Sequence, residues 1–313
     1  MEYRDYIKGD TQISEIGFGA WQLGIDAGWT TLSEKEAIHL VHKALDLGVN
    51  FFDTAPVYGN GSSELRLGKA FAGIDRSKLV INSKFGRLVD GSVDFSAKHL
   101  TATIEGSLSR LGIDYLDSVI IHSPPFAFLD GRNQEHYAML DRLKEAGKIK
   151  AYGASIDTVK EIEMLLKTTN ATIIHAFFNV FHQGVLDAAE IVAEKSATVV
   201  AKIPLDSGWL TGKYTKDSVF SGVRNRWSKE EITTRAHLVD RFRSIVGPNQ
   251  NLAQTALAFC LGNPLIASVI PGCVSEQQLV SNIESASNPL SEKRIKQLHT
   301  FYKEEIKPLR LPW

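Results

Sequence analysis

The chain has little of what would tie it to a disulfide scaffold, a polyanion or a bilayer. Only two of its 313 residues are cysteine, Cys260 and Cys273. Two thiols build neither a disulfide framework nor a four-thiolate metal site, and a reducing compartment is the natural expectation. An excess of either charge is also missing: 35 Lys and Arg stand against 36 Asp and Glu, for a net charge of −1. No basic field is available to hold nucleic acid or an anionic membrane. No apolar run approaches the ~20 residues that a membrane-spanning helix requires. Residues 1–6 lack the apolar stretch of a signal peptide. These absences lead to the expectation of a cytoplasmic protein with no nucleic-acid or membrane partner. His39 and His42 share a helical stretch without a matching carboxylate pair, so no metal site is expected. A glycine-rich dinucleotide fingerprint is missing too. Gly17-Phe18-Gly19-Ala20-Trp21 does not have its spacing, which counts against an open doubly wound sheet.

What is present is a repeated alternation. Eight apolar runs read as strands buried on both faces: Ile16–Trp21, Val49–Asp53, Leu79–Lys84, Leu116–His122, Ile149–Ser155, Thr172–Phe178, Ala197–Lys202 and Ile266–Ile270. Helical patterns lie between them. Glu36–Leu45 follows a Ser33/Glu36 capping box and stops at Gly48. Leu100, Ile104, Leu108 and Leu111 share one face of a helix that stops at Gly112. Met139, Leu140 and Leu143 mark another helix, and Ile162, Leu165 and Leu166 a fourth. Strand–helix alternation implies a parallel sheet, and eight units suit a closed (β/α)8 TIM barrel spanning 1–313 as one domain. Residues 3–16, with Gly9-Asp10 at the centre, read as an N-terminal β-hairpin plugging the barrel bottom. Residues 206–231 form a long loop after strand 7, ending in a basic turn and a capped helix. Residues 309–313 are a C-terminal tail placed near the active site.

The strand ends carry chemistry. Asp53, Lys84 and His122 each close an apolar run, and Tyr58 follows Asp53 in a loop turned by Pro56 and Gly59. Charged residues at strand exits are costly unless they face a cleft or each other. A barrel brings such ends to one rim. An ammonium beside a phenol favours phenolate and lowers the phenol's pKa, and a carboxylate keeps that ammonium charged. A tyrosine tuned in this way donates a proton to an oxygen anion forming at neutral pH, while His122 orients the carbonyl. The set suits carbonyl reduction. Hydride then has to come from a nicotinamide cofactor, because no side chain supplies it. Taken singly, each residue has an ordinary reading: Asp53 as a helix cap, Lys84 as a solvated strand end, His122 as a structural histidine, Tyr58 as a packed turn aromatic. Ser155 reads equally well as a cap for a helix starting at Asp157.

Phe51-Phe52-Asp53-Thr54-Ala55-Pro56-Val57-Tyr58-Gly59, followed by Ser63-Glu64 and Leu67-Gly68, resembles the signature of the aldo-keto reductase family. The order Asp53, Tyr58, Lys84, His122 does so as well. Pro204-Leu205, Gly208 and Leu210-Thr211-Gly212-Lys213-Tyr214 resemble that family's loop after strand seven. Ile270-Pro271-Gly272 with Asn282 resembles its adenosine-phosphate segment. The resemblance implies the eight-stranded barrel and reduction of a small aldehyde, ketone or sugar, or the reverse oxidation. The cofactor it implies is NADPH, with NADH left open. It carries over Asp53, Tyr58, Lys84 and His122 as the catalytic group. For the cofactor it implies Asp53, Gly19, Trp21 and Ser155 near the nicotinamide, and Leu205, Ser207, Gly208 and Leu210 across the pyrophosphate. Gly272, Cys273, Ser275, Gln278 and Asn282 fall at the adenosine end. Three positions depart from the family pattern. Ile156 stands for an asparagine, His175 for a glutamine (with Asn179 a substitute), and Lys202 for the aromatic that stacks on the nicotinamide. The 2′-phosphate positions carry no cation of their own, and Arg224 or Arg226 would have to reach over. Phe126, Phe128, Leu129 and Trp313 suggest a partly apolar substrate mouth.

Two other functions share these residues. Channel beta subunits have the same barrel and residues but act chiefly by docking, which makes a nucleotide-binding regulatory subunit the alternative. A Schiff-base enzyme using Lys84 is the third reading. Asp53 argues against it, because a Schiff-base lysine has to be neutral. The substrate and the oligomeric state are not legible.

Overall fold

A computed structural model describes residues 1–24 and 32–312. The chain first folds back on itself: β1 (Tyr3–Ile7) and β2 (Thr11–Ser14) pair antiparallel across a turn in which Gly9 takes φ +76°. Eight short strands follow in parallel, each beside its predecessor: β3 (Phe18–Gly19), β4 (Phe51–Asp53), β5 (Val80–Phe85), β6 (Leu116–Ile121), β7 (Ile149–Ser155), β8 (Ile173–Phe177), β9 (Thr198–Lys202) and β10 (Ile266–Val269). The first and last also meet. Gly17 N–H donates to Val269 O at 2.8 Å, Val269 N–H donates to Glu15 O at 3.0 Å, and Gly19 bridges Gly272. The sheet is thereby a closed barrel, as the alternation predicts. Gly19 is required at that seam, because a Cβ there would lie 2.7 Å from Ile270 O.

The helices form where the sequence punctuates them. α1 (Glu34–Asp46) opens on the expected capping box, with Glu36 N–H on Ser33 Oγ and Ser33 N–H on the Glu36 carboxylate. α3 (Ala97–Leu111) ends at Gly112, whose φ of +66° is the left-handed stop that favours glycine. α2 (Ser62–Phe71), α4 (Glu135–Glu145), α5 (Val159–Thr168), α6 (Ala189–Glu194), α7 (Lys229–Val246), α8 (Leu252–Leu261), α9 (Glu276–Glu284) and α10 (Glu292–Phe301) complete the described helices. α5 is capped by Thr158, not by Ser155.

Two apolar compartments hold the barrel. One lies between strands and helices. The other is the barrel floor, where the hairpin residues Tyr6 and Ile13 pack with Phe51, Val80, Ile120 and Ile173. The hairpin is therefore the plug expected from the sequence. The tail docks instead on α7, through a bond from Arg235 Nη2 to Pro312 O. Residues 309–312 do not line the central cleft, and Trp313 lies outside the described residues.

One buried histidine sets an acid limit on stability. His136 is 1% exposed and surrounded by aromatic rings, with the Tyr137 ring centroid at 4.3 Å. Burial holds its imidazole down at about 4. Below an unfolded value near ~6.5 the unfolded chain takes up a proton that the folded chain refuses. Stability is thus full above that pH and falls as pH drops toward the folded value, by about 1.4 kcal/mol per unit. Urea midpoints measured between these limits are expected to decline with acid. A His136→Phe variant should decline less steeply, and equal slopes would contradict the assignment.

Candidate active site

Side-chain parity along the strands decides what enters the barrel. Asp53 ends β4, and Lys84 lies two residues beyond Asn82 on β5, so both β5 side chains share one face. The register pairs Asp53 with Asn82 and Asn82 with Ser118. Asp53 and Lys84 are only 4% exposed and meet at 2.7 and 2.8 Å, with Lys84 Nζ also donating to Thr54 O at 2.8 Å. Burial would lower the lysine, but Asp53 together with Tyr58 more than offsets it and holds the ammonium above its ordinary range. A buried ion pair survives only when its geometry is good and its other bonding sites are filled, and both conditions hold here.

Tyr58 stands over this pair. Its ring is half-buried, and Lys84 Nζ lies 4.8 Å from the ring centroid. The expected acidification of the phenol is not what results. Burial pushes Tyr58 above its ordinary value, and Lys84 only partly pulls it back against Asp53. Desolvation disfavours phenolate more than the single ammonium, already shared with a carboxylate, favours it. His122 follows β6, its ring edge-on to Tyr58 at 6.0 Å. Burial and the cations Lys84, Arg87 and Lys202 hold it well below its usual value, so it is neutral.

These side chains share one cleft of about 1180 Å³ at the strand exits. Gly19, Trp21, Ser155, His175 and Lys202 also line it, Trp21 with its ring 6.2 Å from that of Tyr58. Lys202 Nζ donates to Ser155 Oγ at 2.8 Å and to Asp157 at 3.0 Å, and lies 4.4 Å from the Phe177 ring centroid. Burial lowers that lysine, partly offset by Asp157. Ser155 is thus a lysine acceptor rather than a helix cap, and its own O–H can still donate into the cleft. His175 is fully buried; its Nδ1 is 3.6 Å from Asp53 Oδ1 and neither ring nitrogen has a hydrogen-bond partner. Asn179 is committed elsewhere: it donates to Ile203 O and accepts from the N–H groups of Phe181 and His182.

The Aldo/keto reductase family model matches residues 15–303. The chain belongs to the aldo-keto reductase family. The Bacillus subtilis oxidoreductase YqkF is 29% identical, with 98% of each chain covered. A probable voltage-gated potassium channel subunit beta of Oryza sativa is 29% identical, covering 91% of each. An aldo-keto reductase from Bacillus halodurans, solved in its holo form, superposes with a TM-score of 0.79 at 25% identity, covering 96% of each chain. As an aldo-keto reductase the protein is an oxidoreductase that uses a nicotinamide cofactor.

The far end of the cleft is built by backbone in unusual conformations. Ile203, Asp206, Ser207 and Gly208 take φ of +53°, +46°, +55° and +98°. Left-handed backbone is costly for a β-branched residue and persists only where the surroundings enforce it. Asp206 supplies the anchor. It is fully buried, 3.4 Å from both His182 Nε2 and Arg235 Nε. Burial would raise its carboxyl, but His182 and Arg235 more than offset that and hold it below its ordinary range. Leu205, Ser207 and Gly208 then face the cleft, with Arg224 Nε on Ser207 O at 3.2 Å and Arg226 Nη2 on Ser207 Oγ at 2.9 Å. Gly272, Cys273, Gln278 and Asn282 line the same end, and burial pushes the Cys273 thiol up to about 12. Two residues named for the cofactor fall outside the lining. Leu210 is fully buried in the core, and Ser275 caps α9 by accepting from Gln278 N–H at 3.2 Å.

The apolar mouth is a correction. Leu129 is fully buried, Phe128 packs on Phe95 at 4.7 Å, and none of Phe126, Phe128 and Leu129 lines the cleft. Among the described residues, six cations line it, Lys84, Arg87, Lys202, Lys213, Arg224 and Arg226, against one carboxylate, Asp53. The loop after β6 turns Phe128 toward α4, where His136 and Phe95 offer it a packed aromatic cluster, and leaves Phe126 exposed. Arg87 and Phe177 were missed in the sequence, where neither closes an apolar run with a charge.

Proposed function

We infer that the protein reduces a small aldehyde, ketone or sugar carbonyl with NADPH, or runs the reverse oxidation, with Tyr58 as the proton donor and acceptor. The observation that carries this reading is the Tyr58 ring 4.8 Å from an ammonium that Asp53 keeps charged, at the wall of a cationic cleft. The cleft suits a dinucleotide. It presents guanidinium groups at the Ser207–Gly208 turn and the Ser155 hydroxyl at the inner end. When bound, the reduced nicotinamide supplies hydride to the carbonyl carbon. Tyr58, protonated at neutral pH, gives its proton to the carbonyl oxygen; Lys84 stabilises the phenolate left behind and His122 hydrogen-bonds the same oxygen. Arg224 and Arg226 would hold the cofactor's phosphates, and a contact from either to the 2′-phosphate would favour NADPH over NADH. The cationic rim suits carbonyl compounds that carry a carboxylate as well as neutral ones.

The test is fluorescence titration with NADPH and NADH side by side, then turnover on a panel of neutral and acidic carbonyl compounds. NADPH is expected to bind more tightly. An Arg224→Ala/Arg226→Ala double variant should lose about tenfold or more of NADPH affinity and less of NADH affinity, as expected for charge-assisted bonds to a dianion. Equal losses would overturn the assignment. The relatedness to a channel subunit beta supports a second reading, a nucleotide-binding partner protein. Tight cofactor binding with no oxidation of cofactor on any carbonyl would decide for it.

A further inference from the structure

Below the catalytic group, a row of hydrogen bonds crosses the barrel to the hairpin plug. Asn82 Nδ2 donates to Asp53 Oδ1 at 2.6 Å, the same oxygen that Lys84 bonds. Ser118 Oγ donates to Asn82 Oδ1 at 2.7 Å, and Tyr6 Oη lies 2.5 Å from Ser118 Oγ. Asn82 and Ser118 are fully buried, and Tyr6 is 1% exposed.

The direction of every bond follows from valence. An ionised carboxylate only accepts, so Asn82 has to turn its NH2 to Asp53 and its carbonyl to Ser118. The single Ser118 proton is then committed to that carbonyl, and Tyr6 has to be the donor to Ser118. The row runs one way, Tyr6 to Ser118 to Asn82 to Asp53, and its donors all drain toward the carboxylate that holds Lys84. Burial pushes the Tyr6 phenol up, so it keeps the proton it donates. Hydrogen bonds in such a chain polarise one another when water is absent.

We propose that Asn82, Ser118 and Tyr6 are positioning residues for the reaction, fixing the Asp53 carboxylate and drawing its charge away from Tyr58. This rests on the reading of Tyr58 as the proton donor. The consequence is directional. Asp53 pushes the Tyr58 phenol up and Lys84 pulls it down. A carboxylate that loses its hydrogen bond from Asn82 bears on the phenol with more of its charge and a less fixed orientation. The phenol is then pushed further up and becomes a weaker donor.

Two readouts separate the relay from simple packing. In the pH profile of kcat, Asn82→Leu should move the alkaline limb upward by about one unit and lower kcat for reduction by up to about tenfold. Tyr6→Phe keeps the shape of the plug, so it folds even where Asn82→Leu does not, and it should move the limb the same way by less. Ile13→Val, elsewhere in the plug, should lower Tm while leaving the limb in place. The second readout needs no turnover. The infrared carboxylate stretch of Asp53, assigned by difference against Asp53→Asn, should shift in Tyr6→Phe and shift more in Asn82→Leu. An unmoved limb and an unmoved stretch in Tyr6→Phe, with Tm alone reduced, would overturn the relay. A moved stretch in a protein that turns over no carbonyl would uphold the row of bonds and refute the reading of the function.

Discussion

Tyr58→Phe is expected to lower kcat for carbonyl reduction by about 10²–10⁴-fold, the usual scale for a positioned proton donor. The substitution removes one oxygen from a half-buried ring and leaves the Trp21 and His122 ring contacts in place. Cofactor affinity measured by fluorescence should therefore change little, and the loss should appear in kcat rather than in nicotinamide binding. The same phenol predicts the pH profile. Burial raises it above its ordinary value despite Lys84, so the donor form is the resting form through neutral pH. Reduction should then be flat through neutrality and decline only on the alkaline side. Burial also keeps His122 neutral, so no limb belonging to it is expected near its ordinary value. A Tyr58→Phe enzyme with more than a tenth of normal kcat would remove the phenol from the mechanism.

Lys84→Met is expected to damage both folding and turnover. Lys84 and Asp53 are 4% exposed, and the lysine makes three hydrogen bonds of 2.7–2.8 Å. Truncating one partner of a buried pair leaves the other charge uncompensated, at a cost of about 3–5 kcal/mol. Removing both charges is much less costly, because no ion is left without a partner. The double variant Asp53→Asn/Lys84→Met should therefore recover most of the urea midpoint lost by Lys84→Met, with the Asn82 bond still formed to the new amide oxygen. It should not recover turnover, because the phenolate of Tyr58 has lost its ammonium. A double variant no more stable than the single one would mean that packing of the lysine stem, not charge, carries the cost.

How far the site could be read in advance depends on the kind of information each residue needs. Asp53, Lys84 and His122 stand out in one dimension, because each puts a charge or a polar ring at the end of an apolar run, with Tyr58 in the turn just after Asp53, and a barrel gathers such ends by construction. Asn82 was also legible in principle. It lies two residues before Lys84 on a strand and so shares its face, but an amide inside an apolar run is a weaker signal than a charge. The distant partners were not legible. Ser118 meets Asn82 only because the β5–β6 register sets them side by side, and Tyr6 meets Ser118 only because the hairpin enters the barrel floor.

By itself the sequence determined the strand–helix alternation, the plug, the helix caps and which charged residues end the strands. These follow from local periodicity and from turn chemistry, which neighbours in the chain carry. Tertiary structure alone decided the sign of the Tyr58 shift, the commitment of Ser155 to Lys202, the strained turn anchored by Asp206 and the cationic rest of the cleft. Each of these is a balance of burial against charges from distant segments. Desolvation depends on how densely other strands pack around a group, and the spacing of residues along a chain does not contain that density.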